Sequence, residues 1–532
     1  MPLNTHSPIF LHYLQNILLI TLCAIFTPLL TLIAILSTLI SPFTTQSQKI
    51  QHQRTQRANS PSTFPPPRTI LVTGVGMSKG LCIARSFYRA GHNVIAADFE
   101  PYYIPSCGHF SRAIRKFYRL RKPCEERGSR VYVRDIVEIV QKERCDLWVS
   151  CSGVASAIED AEAKELVERE TSCLVVQFGV EVTGRLHEKY SFVKQMMELG
   201  LNVPLTYRVH SVEEALRILY PETGVKVQKQ FIMKPEMVDD SVRADMTILP
   251  RPTLSQTQTH IQKMNPSIKR PFVLQQYISG REYCTHSIIL LGKIHAFTSC
   301  QSSDMLMHYR ALEPSSALAQ AMLHYTTLYL RKTSSTSPPA ITGHFSLDFL
   351  INEQIAQKAS RDLAPSDADI ENLQKELFPI ECNPRVHTAV ILLNDKAEEM
   401  ADAYIQFLSD SRTNESTSSK ENSQTSQKLI IVPSLDAVKI GYYWIGHDIL
   451  TKMLLPIFEC VSFQRSIGSL VGEWMEFFIH LLWWKDGMYE IWDPWPAWCL
   501  YVLFLPGCFC ACIWEGKWWS RCNVSTGKFF GV

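Results

Sequence analysis

Hydrophobic and polar positions change register several times along the chain, and each change marks an element or a boundary. Ile17 to Ile40 is an almost unbroken apolar run interrupted by Pro28, and the first 48 residues contain no Asp, Glu, Lys or Arg. At about 1.5 Å per residue such a run crosses a bilayer core of about 30 Å, and it exceeds the apolar part of a signal peptide. Residues 1–48 are therefore expected to form a membrane anchor with a helix over about 17–40. Positive charge begins only afterwards, at Lys49, Arg54, Arg57 and Arg68. A single-pass chain with its remaining residues in the cytosol follows from that asymmetry. Residues 44–67 are polar and end in three prolines, which predicts an extended linker, assigned to 49–67.

From Arg68 the pattern alternates. The runs RTILVTG, HNVIAAD, CDLWVSCSG and CLVVQFG are short, apolar and rich in β-branched residues, and helical-period segments such as VRDIVEIVQKER separate them. A parallel sheet flanked by helices is expected over 68–185. After residue 186 the character shifts to a helix stopped by Gly200, then to antiparallel strands in KQFIMKP and PFVLQQYISG. GREYCTHSIILLGKIHAFTSCQSS reads as a hairpin turning at Leu291 and Gly292, and GHFSLDFLI and LFPIECNPR as two more strands flanking a charged insertion, 352–376. This second unit runs over 186–408. A Ser/Thr-rich linker, 409–428, separates it from an aromatic-rich C-terminal region, 429–532.

Composition narrows the function classes. With 532 residues, 46% hydrophobic and 20% charged, the chain has the content of a multidomain globular protein. A formal charge of +2 offers no field for nucleic acid, which is not expected as a partner. Sixteen cysteines without a CxxC pair argue against a zinc knuckle or redox dithiol and fit a reducing compartment. Cys508, Cys510 and Cys512 read as buried or membrane-facing thiols.

The glycine-rich turn GVGMSKG, with Gly74, Gly76 and Gly80 ahead of Asp98, partly matches a dinucleotide fingerprint, and Tyr190 and Lys194 form a YxxxK. Tyr190 lies beyond all four apolar strands, so nicotinamide chemistry is disfavoured. The segment FPIECNPRVH is more informative. In a strand, Glu381, Asn383 and Arg385 share one face, and Asp348 in SLDFLI adds a carboxylate from the preceding strand. Oxygen donors of this kind suit magnesium bridging nucleotide phosphates, and Arg385 could meet the γ-phosphate bidentately. Lys234 at a strand end and Lys189 at a helix start could hold a polyphosphate from two sides.

Taken in order, HEKYSFVKQMMELGLNVP, FIMKP, VLQQYISGREY, GHFSLDF and ECNPR resemble the ATP-grasp superfamily over about residues 68–400. The resemblance implies an α+β fold in which two α+β subdomains clasp ATP, preceded by a Rossmann-like α/β domain that binds substrate without dinucleotide. It further implies that Lys189 and Lys234 contact ATP phosphates, that Gln275, Gln276, Tyr277 and Ile278 line adenine, and that Asp348, Glu381 and Asn383 hold Mg2+, with Mn2+ as a substitute. Arg385 would stabilise the transferred phosphoryl group. Glu282 stands in for the ribose-binding acid, because Gln275 and Gln276 occupy positions where glutamates are common. Ser241 and Arg243, in the polar segment after Lys234, come without the glycine of a phosphate-covering loop.

The tail motifs YYWIGHD, WWKDGMYEIWDPWP and WSRCNVSTGKFF look like a narrower group, the ligases of fungal secondary metabolism similar to mycosporine-glycine synthases. The expected activity is ATP-dependent joining of an amino acid or other amine to a phosphate-activated carboxylate or enolone. His387 is a candidate proton carrier or a structural histidine, and Asp304, His308 and Tyr309 are candidates for the acceptor pocket. A non-catalytic, membrane-tethered nucleotide-binding scaffold and a bicarbonate-using enzyme related to carbamoyl-phosphate synthase or biotin carboxylase are the alternatives. A homodimer is compatible with each reading, and a packed or peripheral element is expected of AWCLYVLFLPGCFCACIW.

Overall fold

The computed structural model describes residues 3, 7–59, 66–123, 128–153, 156–221, 227–236, 245–302, 307–336, 341–416 and 429–531. Helix α1, Ile9–Ile40, continues across Pro28 and starts earlier than the apolar run alone suggests. Polar side chains along it meet aromatic residues of the C-terminal region. Trp519 Nε1 donates to Asn16 Oδ1 at 3.1 Å, Trp498 Nε1 to Thr31 at 2.9 Å and Trp495 Nε1 to Thr38 at 3.1 Å. The order of these contacts sets the apolar helix Trp495–Glu515 antiparallel to α1. Ile17, Leu18, Ile25, Leu29, Leu32, Leu36 and Leu39 remain exposed on α1. Ile9–Phe43 (mean hydropathy 2.6) and Trp495–Glu515 (mean hydropathy 1.9) are both long and apolar enough to cross a membrane.

Up to Asn59 the expected extended linker is instead a helix, α2, Thr45–Asn59, while its residues 60–65 lie outside the described residues. Glutamine, lysine, arginine and alanine are good helix formers, and no proline or glycine occurs within the segment. The helix is docked by distant partners: Arg57 forks onto Asp402 at 2.7 and 2.9 Å, and Arg54 lies 4.0 Å over the Tyr88 ring. Such planar, bidentate contacts are specific to arginine.

Strands β1 (Thr69–Thr73), β2 (Asn93–Phe99), β3 (Lys116–Leu120), β4 (Leu147–Val149) and β5 (Leu174–Val176) form a parallel sheet in the order β3-β2-β1-β4-β5. Ile70 and Val72 point into one core with helix α3, Ser78–Arg89, while Leu71 points into another beneath α4, Arg130–Glu143, and α5, Ala157–Glu170. Burial on both faces is why these strands read as continuous apolar runs.

The helix expected to end at Gly200 is α7 (Lys189–Glu198), which the extended Glu188 separates from a preceding helix, α6 (Val180–His187). Three antiparallel strands follow, β6 (Thr206–Val209), β7 (Phe231–Pro235) and β8 (Phe272–Gln276), in the order β6-β8-β7. Phe231, Met233, Phe272 and Leu274 pack into the core of this sheet, so Ile232, Lys234, Val273 and Gln275 share its other face.

The last large sheet, β9 (Arg281–Leu290), β10 (Lys293–Gln301), β11 (Gly343–Ile351) and β12 (Phe378–Asn383), is antiparallel in the order β10-β9-β11-β12. Its first hairpin turns at Leu291 and Gly292, both with positive φ (50° and 73°), as a two-residue loop twisted like the strands requires. Phe345, Leu347, Phe349 and Ile351 enter a core with Tyr325 and Tyr329, which sends His344, Ser346 and Asp348 to the opposite face. Between β11 and β12 the charged segment forms helices Glu353–Arg361 and Asp367–Gln374, the second opened by a Ser366–Asp369 capping box. Helix Ala397–Ser416 takes in the first residues of the expected Ser/Thr-rich linker, and residues 417–428 lie outside the described residues.

The C-terminal region is locked onto the parallel sheet's helices by one buried ion pair. Arg85 Nε donates to Asp493 Oδ2 at 2.9 Å, and its Nη2 donates to the carbonyls of Met488 and Asp493. Ser111 and the Arg112 amide complete the shell of the Asp493 carboxylate.

Candidate functional site

Antiparallel pairing sets Asp348 opposite Glu381 and Ser346 opposite Asn383. A bulge at Ile380 lets β12 keep Glu381 and Asn383 on the Asp348 side while Cys382 enters the core behind. Asn383 Nδ2 donates to Asp348 Oδ2 at 3.0 Å, and Arg385 Nη2 donates to Asn383 Oδ1 at 2.8 Å. Three of the four residues expected to act together, Asp348, Asn383 and Arg385, are thus one hydrogen-bonded row, with the fourth, Glu381, half-buried beside it. Burial holds the Asp348 carboxyl well above its usual range, and Cys284, Glu381 and Glu282 push the same way against Arg385. A divalent cation would relieve this concentration of negative charge, and the carboxylates of Asp348 and Glu381 with the Asn383 amide oxygen suit magnesium, although the donor atoms grouped with the Asp348 carboxylate within 4.8 Å are those of Cys284 and His387.

Helices α6 and α7 pack on β12. The charges of Arg385, Glu381 and Lys189 all act on His187, at the end of α6, so Lys189 lies in the same neighbourhood as the row. His187 was not legible as a site residue; burial and Arg385 hold its imidazole below the usual range, against Glu381. Lys234 is half-buried opposite Val273, on the face of β7 away from the core that holds Phe231 and Met233. Beside it, Glu236 accepts from Arg208 Nε at 2.8 Å, and burial together with Glu188 raises its carboxyl to about 7. Gln275 is buried on the same face as Lys234. The amides of Gln276 and Tyr277 already donate to Leu205 O (2.7 Å) and Gln230 O (2.8 Å), so these two N–H groups are committed within the protein, and Ile278 continues the chain out of the sheet. Glu282 is exposed at the start of β9, opposite Leu350 of β11.

The glycine-rich turn takes a different form from a dinucleotide cradle. Asp98 accepts the Gly76 amide at 2.6 Å and the Phe99 amide at 2.7 Å, so both of its oxygens serve the backbone. A Cβ on Gly76 would stand 2.9 Å from Asp98 Oδ2, and one on Gly80 only 2.2 Å from the Gly74 carbonyl. Tyr190 lies near the Arg208 guanidinium and Lys194 near Glu198, so the YxxxK pair is spent on other partners. Above the turn lies a cavity of about 610 Å³, lined by Gly76, Asp98, Lys122, Ser152, Phe504 and Thr526 among others. Its roof is the C-terminal region, which nothing in the sequence tied to this turn.

Lys79 is the other residue the sequence hid. It is fully buried, and its Nζ donates to Ser152 O at 2.8 Å and to Val386 O at 2.9 Å. Burial and the nearby Arg385 lower its ammonium to about 7. The turn of the first sheet thereby grips the chain directly after Arg385.

His387 caps the turn Thr388–Lys396, its Nδ1 accepting the Ala389 amide at 3.2 Å. An acceptor nitrogen is unprotonated, and burial, then His286, Arg385 and Lys79, hold the ring far below its ordinary range. The structural side of the His387 reading thus describes its observed contact. Tyr309 is buried with its ring 6.2 Å from that of His387. His308, by contrast, turns away to Asp448 and His480, and not toward the row around Asp348. Asp304, Ser241 and Arg243 lie outside the described residues.

No family model matches the chain, and no curated protein matches it in sequence. Among solved structures it is similar to the L-amino acid ligase from Bacillus licheniformis, at 11% identity and a TM-score of 0.40 over 61% of this chain and 68% of that one. It is also similar to an ADP complex of N5-carboxyaminoimidazole ribonucleotide synthetase, at 12% identity and a TM-score of 0.42 over 62% and 73%. A third similar structure is the phosphoribosylamine–glycine ligase from Thermotoga maritima, at 13% identity and a TM-score of 0.42 over 64% and 75% of the two chains.

Proposed function

We propose that the chain is a membrane-associated ATP-grasp ligase that joins an amino acid or other amine to a phosphate-activated carboxylate or enolone. One observation carries the reading: Asp348, Asn383 and Arg385 form a continuous hydrogen-bonded row in register with Glu381. That row puts carboxylate and amide oxygens beside a guanidinium, in the motif order of the superfamily that the sequence resembles, which supports the reading. Asp348, Glu381 and Asn383 are assigned to Mg2+, which when bound supplies neutralisation of the phosphate charge. Arg385, Lys189 and Lys234 are assigned to the ATP phosphates. Positioning and charge stabilisation of this kind are most of what phosphoryl transfer needs.

In the proposed reaction an acceptor oxygen attacks the γ-phosphorus and the bond to the β-phosphate oxygen breaks, releasing ADP. The amine nitrogen then attacks the activated carbon, the carbon–oxygen bond to phosphate breaks, and inorganic phosphate leaves. Arg385 stabilises the negative charge that develops in the first step. The 68–185 unit is assigned as the Rossmann-like substrate domain, and the cavity above its glycine turn as the acceptor pocket. Within this reading, α1 is the membrane anchor with the ligase on the cytosolic side, and secondary metabolism is its setting.

The test is ADP and phosphate release by the full chain with ATP, Mg2+ and a panel of amines and carboxylic or enolone acceptors, alongside Glu381→Ala. Turnover that needs both an acceptor and an amine, and falls by about 10²-fold or more in Glu381→Ala, supports the ligase. ATP binding without turnover across the panel would favour the scaffold. Turnover that needs bicarbonate in place of the carboxylic acceptor would favour the carboxylase-like alternative.

A further inference from the structure

A second polar cluster lies on the other side of the segment that carries Tyr309. His308 Nε2 stands 2.8 Å from Asp448 Oδ1, and His480 Nδ1 stands 2.6 Å from Asp448 Oδ2. One donor atom from each of the three residues lies within 4.8 Å of the others. Asp448 and His480 are buried and His308 is partly open to solvent. The three side chains come from unconnected stretches: the segment ahead of helix Ala317–Thr336, the short helix Ile445–Asp448, and helix Ile467–Trp483.

Two imidazoles and one carboxylate suit zinc and its neighbours in the first transition series, whereas magnesium prefers oxygen alone. Bonds of about 2.0–2.1 Å in a tetrahedron separate ligand atoms by about 3.3 Å, so the cluster needs to open only slightly to seat an ion. Glu476, one turn before His480, has Oε1 3.9 Å from His480 Nε2, too far for a hydrogen bond but near enough for a small side-chain shift to make the carboxylate–histidine contact that orients a ligating imidazole. The rings of Trp484 (4.1 Å from His480) and His447 (5.9 Å from His308) wall the site.

We propose that His308, Asp448 and His480 bind one zinc-class divalent cation, distinct from the magnesium assigned to Asp348 and Glu381, that ties the C-terminal helices to the Tyr309 segment. Tyr309 and Tyr442 exchange backbone hydrogen bonds at 2.9 and 2.7 Å, and the Tyr309 ring packs against His387. A cation one residue away would hold that edge of the candidate site in place from behind. A tie of this kind is structural, with no bond made or broken.

The experiment loads the full-length protein with zinc, removes loose ion by gel filtration, and measures retained metal by mass spectrometry. The expected result is about one zinc per chain, with affinity lowered about tenfold or more in both His480→Asn and His308→Asn and unchanged in Glu381→Ala. Cobalt in place of zinc should give visible absorption bands of a tetrahedral nitrogen–oxygen site in the wild-type chain, a readout that does not depend on the variants folding. Absence of retained zinc and of cobalt bands in the wild type, or equal zinc retention by both histidine variants, overturns the proposal. Because the readout is metal content, it stands or falls separately from ATP turnover.

Discussion

Asn383 does two jobs with one amide, donating to Asp348 and accepting from Arg385. Replacing it with leucine removes both contacts and leaves the guanidinium unaimed, so ATP turnover should fall by about 10²-fold or more. Steady-state kinetics over a range of Mg2+ concentrations checks this; an unchanged rate at every concentration would remove Asn383 from the site. Lys79 predicts a pH effect. Its ammonium is lowered from 10.5 to about 7 in the folded chain, so between those values the unfolded chain binds more protons and stability rises with pH. From about pH 7 to pH 8.5 the wild type should gain on the order of 1–2 kcal/mol relative to Lys79→Met, measured by urea unfolding of both. A constant difference between the two proteins would show that Lys79 does not titrate there. The shared face of Glu381 and Asn383 was legible because strand alternation is written locally, whereas Arg385 lies beyond the end of β12 and Asp348 joins them through strand pairing. Lys79 was not legible, since its meaning depends on a carbonyl 307 residues away.

At the scale of elements, periodicity worked where the core decides and failed where single polar contacts decide. The strands of the parallel sheet and the Leu291–Gly292 hairpin follow directly from apolar runs and turn chemistry. Helix α2 does not, because it buries little apolar surface and is held by Arg54 and Arg57 against residues far along the chain. The break at Glu188 was also hidden, since helical period continues through it while the backbone turns extended. Asp493 belongs to this class of contact. It is 1% exposed and receives Arg85, Ser111 and the Arg112 amide, so Asp493→Ala leaves a buried guanidinium unpaired. The expected cost is about 3–5 kcal/mol by urea unfolding, with a smaller loss in the double variant Arg85→Met, Asp493→Leu. A loss under about 1 kcal/mol in the single variant would mean that the C-terminal region is held elsewhere.

At the scale of the whole molecule, the N-terminal helix and the C-terminal region behave as one layer. The antiparallel contacts from Asn16 to Thr38 tie α1 to Trp519, Trp498 and Trp495, and Ser37 bonds the Tyr489 hydroxyl at 2.7 Å. The chain is therefore poorly described as a soluble enzyme on a detachable tether. Removing residues 1–44 would bare the tryptophan edge of the helix Trp495–Glu515, which is itself apolar enough to enter a bilayer. Exposed apolar patches of that size drive association. The truncated chain is expected to aggregate without detergent, while the full chain in detergent stays monodisperse by size-exclusion chromatography with light scattering. Trp498→Ala and Trp495→Ala in the full chain should reproduce part of the effect by weakening the same seam. If the truncated chain is monodisperse in buffer, the C-terminal helix covers its own apolar face. In that case α1 is a simple anchor, as the hydropathy pattern alone suggests.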